Sequence, residues 1–240
     1  SANDANPVPH PQDTWPQWRG PLGTGVAPRA NPPIHWSETQ NIRWKTVIPG
    51  KGHSTPIVWD DRVFVTTAIP YGDAVEPRYS DASGAHDEFP VTYPHKFGVM
   101  AISRRTGKIL WEQTVREQLP YEGGHNTASL ASSSPVTDGK HVFVCFGSYG
   151  LYCLDWEGKP IWEKDLGQMH PMHGHGEGSS PALFRETLIL NWDHEGPSFL
   201  VAFDKRTGEE RWKVERETAS SWTTPITVEH GGTTHVIVSG

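Results

Sequence analysis

The chain has 240 residues, enough to bury a sizeable core, and its net charge of −7 comes without basic clusters, which argues against nucleic acid as a partner. Trp (11), Gly (24) and Pro (21) are abundant while Met (3) is scarce, a mix that suits short strands joined by tight turns rather than helices. No apolar stretch is long enough to span a membrane, and no long run carries the i, i+3, i+4, i+7 spacing of an amphipathic helix.

Ser1 to Thr14 is polar and Pro-rich and lacks the basic and apolar regions of a signal peptide. It reads as the start of a mature secreted chain, the spacer after a lipid anchor, or simply a boundary imposed on a longer chain. Residues 1–41 show little periodicity, yet Trp15-Pro16-Gln17-Trp18-Arg19-Gly20-Pro21 places two tryptophans in what would otherwise be a linker. This N-terminal segment is therefore expected to pack on the rest of the molecule. Ile42 to Val47 resembles Ile161 to Leu166 and reads as an outer strand with no blade before it.

From Ser54 onward one pattern recurs. An apolar strand, a turn built on Gly and a second strand ending in Trp occur at Met100–Trp111, Tyr152–Trp162 and Phe199–Trp212. Trp111, Trp162 and Trp212 lie 51 and 50 residues apart. Ser134-Pro135, Ser180-Pro181 and Thr224-Pro225 open further apolar runs at spacings of 46 and 44, and Thr55-Pro56 precedes them by 79. The excess over one period is assigned to an insertion over residues 69–96. A fixed period of roughly 40–50 residues with several short strands per repeat is the mark of a β-propeller. The fold class is thus all-β, a propeller of four-stranded antiparallel blades.

Blade one is read over 54–115, with strands at about 54–59, 62–68, 97–103 and 109–115. Blade two occupies 131–166, with strands at about 131–136, 141–146, 151–155 and 160–164. Blade three occupies 179–215, with strands at about 179–184, 187–192, 198–204 and 210–215. A partial blade four covers 221–240, its second strand near 235–238. About three and a half blades do not close a ring, so the sequence reads as part of a propeller of about seven or eight blades. Gly107, Gly158 and Gly208 are read as structural turn positions. Trp111, Trp162 and Trp212 are read as structural too, each packing against the neighbouring blade.

Cys145 and Cys153 lie on the two arms of a hairpin. A two- or four-residue loop pairs Cys145 with Tyr152 and puts Cys153 on the opposite face, so two separate buried thiols are expected rather than a disulfide. Cysteine usage leaves the compartment open.

The repeat resembles the PQQ-like β-propeller repeat, shared by quinoprotein alcohol dehydrogenases and the BamB-type outer-membrane assembly lipoproteins, over about residues 42–240. The Trp-Pro-Gln-Trp-Arg-Gly-Pro opening is similar to that of bacterial secreted members with no assigned reaction. The resemblance implies a periplasmic or secreted, possibly lipid-anchored protein. For the dehydrogenases it also implies two adjacent cysteines over the quinone, a Ca²⁺ cage and an Asp base. Cys145 and Cys153 are not adjacent and the cage and base match no local motif, so PQQ with Ca²⁺ or a transition metal is unsupported by these residues. Fold alone does not license the reaction.

Propeller topology gathers the blade-to-blade connections and those between second and third strands on one face. That face receives the insertion, with Tyr71, Asp73, Glu76, Asp81, His86, Asp87, Glu88 and His95. It also receives Glu122 to Asn126, His170 to Glu177 and Asp193 to Glu195. His53 and Trp222 each sit three residues before a blade-opening Pro and should line the channel mouth. Three readings of this face stay open. One is a metal site drawn from His170, His173 and His175, with Glu177, Asp193 or His194, against a reading of the same groups as solvated loop side chains. Another is a binding cleft, formed by His53, His125, Asn126, His175, Glu177, Asp193, His194 and Trp222, for a protein, glycan or small-molecule partner. The third is acid–base chemistry by Glu177 and Asp193 facing each other. No Ser-His-Asp set or phosphate loop is visible. The expected role is a binding or scaffolding module using one face of the ring, with a quinone- or metal-dependent oxidoreductase as the alternative.

Overall fold

The computed structural model describes residues 13–240, so the reading of the first dozen residues lies outside it. Three four-stranded antiparallel sheets follow one another along the chain. The first comprises β1 (Ile57–Trp59), β2 (Arg62–Pro70), β4 (His95–Ser103) and β5 (Ile109–Gln118). Within its excursion lies β3 (Glu88–Phe89), which pairs with β6 (Gly124–His125) in the connection to the next blade. The second sheet runs β7 (Val136–Thr137), β8 (His141–Cys145), β9 (Leu151–Asp155), β10 (Pro160–Lys164). The third runs β11 (Ala182–Phe184), β12 (Thr187–Trp192), β13 (Ser198–Asp204), β14 (Glu210–Arg216). The hairpin β15 (Ile226–His230) and β16 (Thr233–Ile237) starts a fourth. The short strands β1, β7, β11 and β15 are successive neighbours, so the blades fan around a common axis. No helix among the described residues is long and apolar enough to cross a membrane.

Side chains alternate across each strand, and the two faces of a blade serve two different interfaces. In blade two, Val142, Val144 and Leu154 pack with Ile57, Phe64, Val99 and Ala101 of blade one. Phe143, Cys145, Leu151 and Cys153 pack with Leu188, Leu190, Val201 and Phe203 of blade three. The core is therefore a series of inter-blade layers.

The first strands are shorter than the sequence pattern indicates, and the reason lies in the Ser/Thr-Pro pairs. Their hydroxyls bond around the ring instead of within a sheet. The Thr55 N–H donates to Ser134 Oγ (2.9 Å), the Ser134 N–H to Ser180 Oγ (2.9 Å), and the Ser180 N–H to Thr224 Oγ1 (3.1 Å). A parallel row runs from Ser133 Oγ to Ser179 O and from Ser179 Oγ to Thr223 O, both 2.8 Å.

Each blade carries a register shift immediately before its repeat tryptophan, which pairs with a small residue: Ala101 with Trp111, Cys153 with Trp162, Ala202 with Trp212. A bulge re-aims the side chain. Trp111 Nε1 donates to Trp156 O (3.1 Å) and its ring lies over Gly158; Trp162 Nε1 donates to Lys205 O (3.0 Å) and its ring lies over Gly208. At Gly158 (φ +85°) and Gly208 (φ +69°) an added Cβ would stand 2.7 and 2.8 Å from the indole, so both backbone conformation and space require glycine.

Two expectations are corrected. Residues 42–47 form no strand. Trp44 nevertheless places its indole over Gly107 and donates Nε1–H to Arg104 O (2.8 Å), the contact made by Trp111 and Trp162 one blade further on. The side-chain anchor is retained without the ladder. The cysteines also lie on the same face, because Cys145 pairs with Leu151 and Phe143 with Cys153. The loop is an odd five residues, Phe146 to Gly150, with a 3₁₀ turn at Gly147–Tyr149, so the register moves by one. Both thiols are free and buried, and burial pushes each up to about 12.

The N-terminal segment runs along the inner strands. Trp15 exchanges backbone hydrogen bonds with Val58 (2.7 and 2.8 Å), and the Thr137 N–H donates to Pro16 O (2.9 Å).

Candidate functional site

The excursion between β2 and β4 is tied to the body of the molecule. Tyr71 N–H donates to Pro94 O, Val75 N–H to Thr92 O, and Arg78 pairs with Val91 in both directions. The β3–β6 pairing sets Glu88 opposite His125 and Phe89 opposite Gly124. Gly123 permits that approach, since a Cβ there would lie 1.8 Å from Phe89 O. The excursion thus meets the connections leading into blades two and three.

Where they meet, four imidazoles gather. The His86 ring lies 5.0 Å from His175, 5.9 Å from His173 and 6.2 Å from His125 by centroid. His175 is 5.5 Å from His173 and 5.3 Å from His125. Trp222 borders the group, 6.1 Å from His175, with its indole Nε1 donating to Gly176 O (2.7 Å). Burial first, then the three neighbouring imidazoles, lower the pKa of His175. His170 is not part of this group. Its ring lies 6.0 Å from His194.

Beside the imidazoles is a surface cleft of about 550 Å³, lined by Asp81, Glu122, His170, Met172, His173 and Glu195. Glu195 accepts from the Ser220 N–H (3.0 Å) and hydroxyl (2.8 Å), which lower its pKa. Glu122 is raised, mainly by burial.

The remaining sequence-predicted residues have separate partners. Glu177 accepts from the Ser148 N–H (2.6 Å) and from the Ser148 hydroxyl. Burial dominates and raises its carboxyl to about 7. A Cβ on Gly147 (φ +56°) would stand 1.5 Å from Glu177 Oε2, so this loop needs glycine. Asp193, with a fully buried carboxylate, takes Arg216 Nε (2.8 Å) and Nη2 (3.3 Å), and accepts from Asn191 Nδ2 (3.0 Å). Glu177 and Asp193 are thus each engaged by partners of their own, Ser148 for the one and Arg216 and Asn191 for the other. His194 is buried and its Nδ1 accepts from the His170 and Gly196 N–H groups (3.1 and 3.0 Å), which assigns it to loop architecture. His53 is exposed; its N–H donates to Ala131 O (3.0 Å) and its ring joins no cluster. Asn126 is exposed, its N–H donating to Asp87 O (2.7 Å).

His86 joins the imidazole group and Glu122 lines the cleft; the sequence pattern puts both on this face but not among its candidate site residues. A usable signal exists: His125, His175 and Trp222 are spaced by 50 and 47 residues, one blade period each, which puts them in corresponding connections.

The cysteine pair attached to quinone by family resemblance has no counterpart among the described residues. Cys145 and Cys153 sit on separate strands inside a core layer, so these residues do not fit that group.

Comparison with known proteins gives one family match. The family model described as outer membrane protein assembly factor BamB matches residues 95–239. No curated protein matches the chain. Among solved structures, the chain is similar to quinohemoprotein alcohol dehydrogenase from Comamonas testosteroni, with 16% identity over 70% of this chain and 21% of that one, TM-score 0.44. It is also similar to BamB from Moraxella catarrhalis, with 14% identity over 70% of this chain and 56% of that one, TM-score 0.37. The chain spans 21% and 56% of the length of these two structures.

Proposed function

The chain belongs to the PQQ-like, BamB-type propeller repeat family, and on that premise we propose that it is an extracytoplasmic binding module for a basic segment of a protein partner. The observation that carries this reading is the cleft of about 550 Å³ on the insertion-bearing face. Its volume is that of a ligand site, and it has three carboxylates, Asp81, Glu122 and Glu195, with no Lys or Arg in its lining. A cationic side chain entering it gains charge-assisted hydrogen bonds, while an acidic one meets like charge. Met172 adds an adaptable apolar wall. Trp222, 43% exposed, lies at the edge of the neighbouring imidazole group and offers a face for stacking.

The test is fluorescence titration of the protein with short peptides of equal length, carrying Lys/Arg, neutral or Glu/Asp side chains. Basic peptides should bind at least tenfold tighter than neutral ones, and the preference should shrink in Glu122→Gln and Glu195→Gln. Equal binding of all three sets, or an unchanged preference in both variants, would overturn the reading.

A further inference from the structure

We propose that His86, His173 and His175 form a transition-metal site taking Zn²⁺ or Cu²⁺. The three rings form a closed triangle, with centroids 5.0, 5.5 and 5.9 Å apart. Tetrahedral coordination at about 2.0–2.1 Å per imidazole nitrogen sets ring centroids about 5 Å apart. The His125 ring lies beside the triangle, 5.3 Å from His175.

The hydrogen bonds prepare the donors. His86 Nδ1 is 2.8 Å from Gly84 O and His173 Nδ1 is 2.9 Å from Ser83 O. A carbonyl only accepts, so both Nδ1 atoms carry the proton and both Nε2 lone pairs stay free. A metal-bound histidine is commonly held by such a carbonyl at its other nitrogen. His125 differs: its Nδ1 accepts from the Thr127 N–H (3.3 Å) and lies 2.8 Å from the Thr127 hydroxyl, so its neutral ring carries the proton on Nε2 and is not prepared as a donor there.

The independent observation is His175. Its Nε2 is sealed from solvent and has no hydrogen-bond partner. Buried polar atoms are rarely left so, because each loses its hydration without compensation. A metal ion satisfies that nitrogen; another ring in the cluster does not. His173 is held at φ +55°, and Gly84 makes room for it, since a Cβ there would lie 2.7 Å from His173 Nδ1. The backbone thus adopts an unfavourable conformation to present this ring. Glu195, electrostatically coupled to His173, supplies compensating negative charge. As the side chains stand, no group of three or more His, Cys, Asp or Glu among the described residues is arranged to hold a metal ion. Closure requires the exposed His86 ring to rotate, which costs its hydrogen bond to Gly84 O unless the loop moves with it. Nitrogen donors of this kind select Cu²⁺ and Zn²⁺ over Ca²⁺ and Mg²⁺.

His173 also lines the cleft, but the test below reads ion binding without peptide, so failure of one reading is distinguishable from failure of the other. The protein, stripped with chelator and exchanged into buffer, is titrated with ZnCl₂ by calorimetry, and its Cu²⁺ form is examined by electron paramagnetic resonance. One equivalent should bind, with nitrogen hyperfine structure from at least three imidazoles. His86→Ala and His175→Asn should each weaken binding at least tenfold, while His235→Ala, exposed in β16 and outside the triangle, should leave it unchanged. Melting each metal-free variant confirms that it is folded before titration. No saturable binding by the parent, wild-type affinity in folded His86→Ala, or an equal loss in His235→Ala would each overturn the site.

Discussion

Replacing Trp162 with Ala tests the contact that repeats from blade to blade. The indole is half-buried against Phe143 (centroids 6.0 Å apart), lies over Gly208, and donates to Lys205 O at 3.0 Å. Truncating a buried Trp costs roughly 3–5 kcal/mol, and the lost hydrogen bond is part of that. Partial exposure moves the expectation to the lower end, about 3 kcal/mol. For a domain of this size each kcal/mol shifts the midpoint by about 2–4 °C, so Trp162→Ala should melt about 6–12 °C below the parent. Trp162→Phe keeps most of the ring and loses the N–H, so it should cost about 1 kcal/mol. Trp212→Ala is the internal control, because that indole makes no hydrogen bond or ring contact among the described residues, and the loss should be markedly smaller. Urea unfolding and thermal melts of the four proteins measure the series. Trp162→Ala melting within about a degree of the parent, or Trp212→Ala matching its loss, would refute the reasoning.

Ser134→Ala removes the acceptor for the Thr55 N–H and leaves a donor unpaired, at a cost of about 1–3 kcal/mol; hydrogen exchange at the Thr55 amide should accelerate, and unchanged protection would contradict the inter-blade row. Glu177 gives a pH signature. Its folded pKa of about 7 lies above the ordinary carboxyl value, so the folded state binds the extra proton and stability falls as pH rises from about 4.5 to about 7. The change is on the order of 3 kcal/mol, and Glu177→Gln should flatten it in urea unfolding at pH 5 and pH 7.5. Gly147→Ala forces a Cβ into that carboxylate at positive φ and should destabilise by more than about 2 kcal/mol in the same assay.

The propeller is legible in the chain because its repeating contacts are local in kind. A Trp that lies over the next blade's turn needs a Gly at that turn, and a blade-opening hydroxyl that serves the previous blade needs a Ser or Thr before Pro; both leave marks at the blade period. What escaped the sequence is what depends on parity or on a partner. The five-residue loop after Cys145 reverses which face Cys153 takes, and nothing in the composition of Phe146 to Gly150 counts its residues for the reader. Asp193 looks like any loop carboxylate until Arg216, from the end of β14, covers it. Trp44 keeps its contact with Gly107 without strand pairing, so resemblance to an outer strand predicted the anchor and not the ladder. The imidazole group is the extreme case. His86, His125 and the pair His173 and His175 come from three connections, and no local spacing reports a set that exists only once the blades stand side by side. His125 and His175 share the blade period, but His86 lies in a segment that interrupts the repeat. The repeat therefore builds the platform, and the segment that breaks it supplies the donor that completes the triangle. A ligand site on such a ring is best sought where an insertion folds back over the connections of its neighbours.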